Sequence, residues 1–443
     1  MNSPLAKPLR IAIIGAGWAG LAAAVQAVQS GLQVTVFEAA RTLGGRARGV
    51  PLTLPDGREV MVDNGQHILI GAYTESLRLL RSVGVDPEQA LLRQPLALRF
   101  VDGRGLQLPE GPAPLDALAG ILGARGWRWT ERAALLSAAW GWRRAGFACA
   151  SELTVAELCR TLPARLVAEF VEPLCVAALN TPVEQASGQV FLRVLRDALL
   201  GGRGHSNLLL PRVDLGTLLP HAAVPWLQQH GATVRTGERV DALHWRAPHW
   251  QAGGRAFDRV IWATSAPHAV QALAQSAQHA GKDMAPALQH WCDIAATLSH
   301  RAITTVYAQA RWPAASRRLP APMLALRSGT QAPAQFVFDR DAITGTHEPT
   351  GLLAFVVSDS AGARPALEAG VVAQAHQELG LAVQPLLAVT EKRATFACTA
   401  GLQRPPALVA PGLLACGDYV AGPYPATLEG AVRSGRQAAE ALR

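Results

Sequence analysis

The chain has 443 residues, of which 49% are hydrophobic and 17% charged, enough apolar material for two or three domains and too much for a disordered chain. Its 41 basic and 33 acidic side chains give a formal charge of +8, carried almost wholly by arginine, since Lys7, Lys282 and Lys392 are the only lysines. No run of about five or six like charges occurs, which leaves no nucleic-acid-binding tract; the surplus reads either as attraction to anionic lipid or phosphate or as a solvated arginine surface.

Cysteines 149, 159, 175, 292, 398 and 416 form no Cys-x-x-Cys pair and no zinc-like spacing with histidine. No metal is expected, and the thiols read as reduced core residues of a cytoplasmic protein. Residues 11 to 37 carry no charged side chain and follow Lys7 and Arg10, as a signal peptide or spanning helix would. Against that, Gln26, Gln29 and Gln33 recur along the stretch, and Gly15, Gly17, Gly20 and Gly31 break it into short elements whose period changes from strand to helix. The expected protein is soluble, or peripheral on the inner face of the cytoplasmic membrane, with no spanning helix.

In chain order, LRIAII (9–14) reads as a buried strand, GAGWAG as a turn, LAAAVQAVQSG as a helix stopping at Gly31, and LQVTVFEAA as a second strand. A strand, helix, strand crossover requires a parallel sheet covered on both faces. Residues 106–204, entered through Pro109, Pro112 and Pro114, are rich in Ala, Leu, Trp and Arg and helical in period, as an inserted part of a substrate domain would be. A helix in LGTLLPHAAVPWLQQHG and strands in ATVRTGERVDALHW and FDRVIWAT resume the pattern of the first segment over 205–265. Residues 266–390 alternate strands such as TTVYAQA, QFVFDR and LLAFVVSD with helices; GLLACGDY then leads through a Gly/Pro loop to a helix from about 428 to 442.

Gly15, Gly17 and Gly20, with Trp18 and Ala19 between them, form G-x-G-x-x-G, and Glu38 ends the second strand just before Ala39. The glycines allow a tight turn and close approach of a pyrophosphate to a helix N-terminus, whose free N–H groups favour an anion. A terminal acid at Glu38 accepts from both ribose hydroxyls and disfavours a 2′-phosphate. These features point to a dinucleotide without distinguishing NAD from FAD.

RTLGGRARG, immediately after that acid, resembles the extended fingerprint of the flavin amine oxidases. The resemblance implies that Gly44, Gly45 and Arg46 pass close to the FAD pyrophosphate and ribityl chain. ACGDY followed by PYPATLEGAVRSGRQAA resembles the closing motif of the same superfamily. By that likeness Gly417 and Asp418 hold the ribityl or phosphate part, and the backbone of Thr427, Leu428 and Glu429 faces a flavin carbonyl. Val240 in GERVDAL and Ala263 and Thr264 in IWATSAP fit shorter motifs of this kind. The implied fold is α/β: a Rossmann-like FAD-binding domain from 9–105, 205–265 and 391–443, with the helical region 106–204 and an α+β substrate domain at 266–390, as in the flavin amine oxidases and p-hydroxybenzoate hydroxylase.

VDNGQHILIGAYTESLRLLRSVG, from Val62, and GHSNLLLPRVDLGTLLP, from Gly204, resemble the hydroxysqualene dehydroxylases, squalene-associated FAD enzymes of bacterial hopanoid gene sets. The likeness is strongest over 11–83, 204–243 and 415–437. It implies a long-chain isoprenoid substrate, reductive removal of the hydroxyl of hydroxysqualene to give squalene, and association with squalene-pathway synthases. Near the flavin this reading places Gly65, Gln66 and His67, with Asn64, Gln66 and His67 as catalytic candidates beside Asp63; His67 titrates in the useful range but also fits a core histidine on an apolar strand, HILI.

The apolar composition of 106–204 suits a hydrocarbon tunnel. Trp127, Trp129, Trp140 and Trp142 beside Arg125, Arg128, Arg132, Arg143 and Arg144 fit a helix dipping into lipid headgroups, and fit core packing with a solvated arginine face equally well. Two alternatives stand beside dehydroxylation: a carotenoid-type desaturase or isomerase, and an isoprenoid-binding flavin fold without chemistry. None of the three lysines falls in the motif that places lysine beside the flavin of amine oxidases, so polyamine or amino-acid oxidation loses ground.

Overall fold

The computed structural model describes residues 7–312 and 318–442. At its centre lies β1 (Arg10–Ile14), whose four apolar residues are buried on both faces as a parallel strand requires. It pairs in parallel with β2 (Gln33–Glu38) on one side and Arg259–Trp262 on the other. Thr233–Thr236 extends the sheet beyond β2, and Leu413–Ala415 beyond Arg259–Trp262; Leu408–Ala410 closes it as an antiparallel edge. Three distant stretches of the chain therefore build one six-stranded sheet.

Helix α1 (Trp18–Gln29) packs between this sheet and the C-terminal helix Leu428–Glu440. Small residues make that layering close. A Cβ at Gly435 would lie 2.1 Å from the carbonyl oxygen of Ala19, and one at Gly20 would lie 1.9 Å from that of Gly15, so both positions exclude any side chain.

A second, antiparallel sheet orders Met323–Ala325, Phe336–Asp339, Leu352–Ser358, His300–Arg311 and Ala382–Phe396. Its last strand runs through position 390, where the sequence suggests a boundary, since Leu387–Glu391 pair with Ile303–Tyr307 across it; register shifts fall on either side. Residues 106–204 are mainly helical, with Leu115–Gly123, Trp129–Arg144, Glu172–Leu179 and Gly188–Leu200 as the longer helices. Among the described residues no helix is long and apolar enough to cross a membrane.

The two segments that set this sequence apart meet in space. Leu69 and Ile70 of NGQHILIG pair with Leu209 and Leu208 of GHSNLLLP, and Gly71 lies so close to the carbonyl of Gly204 that a Cβ would fall 1.8 Å from its oxygen. His67 does not sit on a strand, as HILI suggests. Strand Glu59–Asp63 ends before it, Gln66 takes a positive φ of 46°, and the backbone N–H of His67 turns back to donate to Asp63.

Candidate active site

A cavity of about 840 Å³ opens between residues of both sheets and the helix Glu172–Leu179, a size ordinary for a cofactor or substrate site. Strained backbone gathers on its wall: among the described residues, Gln66, Asn180 and Ala426 are three of the five non-glycine residues with positive φ, and all three line it.

One half is built from backbone. Gly15, at φ 110°, donates its N–H to Phe37 and leaves no room for a Cβ against the carbonyl of Ala263. Gly17 differs: a Cβ placed there would meet nothing nearer than the carbonyl oxygen of Gly44 at 4.0 Å, so this glycine faces the cavity rather than protein. It caps α1 without a side-chain hydrogen bond, leaving N–H groups of the first turn directed at the space. Trp18, Ala19, Ala39, Val240, Ala263 and Thr264 line the same half. Gly20 does not, since it is packed behind the wall on Gly15. Glu38 lines the cavity with its carboxylate already accepting from the N–H groups of Ala16 and Ala40, both at 2.8 Å; two acceptors of this kind leave lone pairs free for a ligand.

The Gly44–Arg46 loop is clipped to the glycine turn by the Gly44 N–H, which donates to Ala16 at 3.1 Å. Gly44, Gly45 and Arg46 all reach the cavity. Arg46 donates to the carbonyl of Ala394 at 2.7 Å and forms an ion pair with Asp418 at 2.5 Å, joining residues 372 positions apart. Burial opposes the charge of Arg46, but Asp418 outweighs it and raises the guanidinium pKa. Gly417, Asp418, Thr427 and Leu428 also line the space, and the Thr427 hydroxyl caps helix Leu428–Glu440 through the N–H of Gly430 at 2.9 Å.

The side chain of Glu429 lies elsewhere. Its fully buried carboxylate accepts from the backbone of Glu75 and Ser76, the Ser76 hydroxyl and Arg433, so it caps the helix Thr74–Ser82 and does not line the cavity.

The other half is richer in apolar side chains, with His67, Gln66, Asn180, Ser358 and Glu391 as polar exceptions. Ile68, Val176, Ile303, Phe336, Phe338 and Val356 supply hydrocarbon surface. Among them His67 holds Asp63 by Nδ1 at 2.7 Å and by its backbone N–H at 2.9 Å. Gly65 lies under the ring, where a Cβ would come within 2.9 Å of Cε1. Burial alone lowers the pKa of His67, but the charge of Asp63 and its hydrogen bond overcome this and raise it above 6.5. Burial likewise acts against ionised Asp63, while His67 and then Arg340 hold its carboxyl below the usual range. The bond at Nδ1 fixes the ring and leaves Nε2 without a hydrogen bond among the described residues.

Asn64 and Gln66 have other partners. The Asn64 amide accepts from the N–H of Arg48 and donates to the carbonyl of Arg46, bracing the Gly44–Arg46 loop. Gln66 accepts from Arg340 at 3.2 Å. Arg340 and Tyr307, whose hydroxyl donates to the Asp63 carbonyl at 2.5 Å, escape sequence reading because they stand 274 and 244 positions from their partners. A tyrosine inside the apolar strand TTVYAQA, fully buried, is the one local hint.

Two polar atoms on the cavity wall, Trp18 Nε1 and the Tyr419 hydroxyl, are buried with no hydrogen-bond partner among the described residues. Unsatisfied buried donors are rare in a finished site, and a polar cofactor against this wall would satisfy them. The glycine cradle, the open helix end and these donors fit FAD.

Residues 18–443 match the model of the flavin containing amine oxidoreductases. The chain belongs to that family. It is an FAD-dependent oxidoreductase. Within the family, a hydroxysqualene dehydroxylase of Rhodopseudomonas palustris is 27% identical over 97% of each chain, and one of Sinorhizobium fredii 30% identical over 53% of this chain and 55% of that protein. A zeta-carotene desaturase of Solanum lycopersicum is 32% identical over 26% of this chain and 19% of its own length. In fold, a solved oxidoreductase from Methanosarcina mazei superposes with a TM-score of 0.69 at 16% identity, covering 98% of this chain and all of the other.

Proposed function

We propose that this enzyme reductively removes the allylic hydroxyl of hydroxysqualene to give squalene. The observation that carries the reading is His67 on the cavity wall, hydrogen-bonded by Nδ1 to buried Asp63 and neighboured by the hydrocarbon surface of Ile68, Phe336, Phe338 and Val356. The dehydroxylases that align over most of the chain support it. Hydroxide is a poor leaving group, so protonation must accompany C–O cleavage. His67, whose pKa burial lowers and the charge and hydrogen bond of Asp63 more than restore, donates from Nε2, and the hydroxyl leaves as water. Asp63 is a positioning residue, Gln66 and Arg340 steady the loop, and Asn64 acts as a brace. The aromatic and aliphatic wall at Phe336, Phe338 and Val356 excludes water from the electron-poor carbon that remains.

FAD, once reduced, supplies the hydride equivalent that completes the exchange of C–O for C–H. Gly15, Gly17, Gly44, Gly45, Glu38 and the N-terminus of α1 would hold its dinucleotide part; Arg46, Asp418, Ala263, Thr264, Thr427 and Leu428 would hold the remainder.

The test is anaerobic mixing of photoreduced enzyme with hydroxysqualene. Reoxidation of the flavin with formation of squalene is the expected result, and absence of both overturns the assignment. The desaturase match favours one other reading, hydrogen abstraction from a polyene. Oxidised enzyme that is reduced by a carotene but inert toward hydroxysqualene would establish it.

A further inference from the structure

The helical region carries a surface that the reaction does not use. Among the described residues nine large hydrophobic side chains are exposed, and five of them, Leu115, Leu118, Leu122, Trp129 and Trp140, lie on two successive helices, Leu115–Gly123 and Trp129–Arg144. The leucines, spaced three and four apart, share one face of the first helix. Trp129 and Trp140, eleven residues or about three turns apart, share one face of the second, at 70% and 61% exposure. The second helix buries only Glu131 and Leu135 of its sixteen residues, so it rests lightly on the body.

Arg132 joins the two faces. Its guanidinium lies 4.6 Å over the Trp129 ring and donates to the carbonyls of Leu122 and Ala124. Of the four tryptophans in this stretch, Trp127 is buried and Trp142 half-buried, so packing accounts for those two and leaves Trp129 and Trp140 unexplained by it.

Charge separates the possible occupants. Between 111 and 150 the only acids are Asp116 and Glu131, and both are buried; Arg125, Arg128, Arg143 and Arg144 are exposed. The surface thus offers apolar wedges beside exposed arginines, with no exposed acid on either helix, complementary to a sheet of negative charge over hydrocarbon. Beneath it Trp127 donates to Glu169 and packs edge-on against Phe170, and the next helix, Glu172–Leu179, lines the cavity.

We propose that the helices 115–144 form a docking surface for an anionic lipid bilayer, set one helix layer from the cavity. This goes beyond the reaction and holds for any substrate dissolved in lipid. Interfacial tryptophans anchor at the headgroup level, and the arginines provide the salt-sensitive attraction.

The test is co-sedimentation of the yellow holoenzyme, without substrate, with vesicles of pure phosphatidylcholine and of equal parts phosphatidylcholine and phosphatidylglycerol. The wild type should partition to the anionic vesicles and be released by salt. Trp129→Glu with Trp140→Glu should lower partitioning about tenfold or more, and Arg143→Glu with Arg144→Glu about tenfold on anionic vesicles only, both with unchanged flavin absorbance. Equal partitioning by wild type and both variants overturns the proposal, as does a wild type that stays in solution. A dimer that Trp129→Glu with Trp140→Glu converts to monomer, without vesicle binding, would assign the surface to a second copy of the chain and also overturn it. Because no substrate is present, failure here is distinct from failure of dehydroxylation.

Discussion

The two halves of the cavity are made by different means. Around Gly15, Gly17 and Gly44 the wall is backbone: its shape comes from glycines, its donors are peptide N–H groups, and most side chains there are absent or small. Around His67 and Phe336 the wall is side chain, contributed by a loop, a helix and a distant sheet. Where backbone packs on backbone, as at Gly15, the wall tolerates no added atom; a wall of side chains keeps its outline through conservative changes and loses its chemistry with a single polar group. Damage to the first half should therefore appear as lost fold or cofactor, and damage to the second as lost turnover.

The largest expected effect is in the side-chain half. His67→Ala should reduce kcat about 10²- to 10⁴-fold while flavin absorbance is retained; unchanged turnover in single-turnover assays would remove His67 from the reaction. In the backbone half, Gly20→Ala places a methyl 1.9 Å from the Gly15 oxygen and should cost about 1–3 kcal/mol of stability, read as a lower Tm. Gly17→Ala meets nothing closer than 4.0 Å, so its Tm without cofactor should match the wild type and only flavin affinity should fall. If both glycine variants behaved alike, the distinction between packing glycine and cradle glycine would fail.

Glu38→Ala should weaken FAD binding about tenfold, the loss of a charge-assisted acceptor. Flavin titration checks this, and unaltered affinity would exclude the carboxylate from the ribose site. The smallest effect is a displacement of a pH profile. Asp63 raises the pKa of His67 against the opposing effect of burial, so Asp63→Asn lets that pKa fall. An acid that loses its proton at lower pH stops working at lower pH, and the limb where rate declines with rising pH should move in that direction. A profile that keeps its position while the rate drops would make Asp63 merely structural.

The backbone half was the legible half. G-x-G-x-x-G, the acid ending the second strand and the Gly-Gly-Arg loop are local patterns whose geometry follows from a few adjacent residues; β2 (Gln33–Glu38) lies where the sequence reads as a strand, while α1 (Trp18–Gln29) begins three residues earlier than it reads, inside the run that reads as a turn. What local pattern does not encode is direction. Gly20 and Glu429 belong to the same motifs as their neighbours, yet one faces the packed interior and the other caps a helix from a buried position. In the side-chain half Asn64, Gly65, Gln66 and His67 were legible through the NGQHILIG resemblance, and the rest only as composition. Tyr307 and Phe336 reach the site through sheet pairings and Arg340 from the short helix that follows Phe336–Asp339, and His67 left its apparent strand because Asp63 captures its backbone. The Trp/Arg stretch divided in the same way, with Trp127 inside and Trp129 outside two residues later.

The ion pair between Arg46 and Asp418 also sets an order of events during synthesis. The strand that flanks Arg259–Trp262 arrives only with Leu413–Ala415, and the partner of Arg46 three residues after that. A chain emerging from the ribosome, its N-terminal segments folding first, can shape the glycine turn at once but cannot close the wall around it until Asp418 is free to reach back. Cofactor loading is thereby deferred until the segment through Asp418 has been made, and a chain cut short before Leu413 should remain colourless and open to proteases.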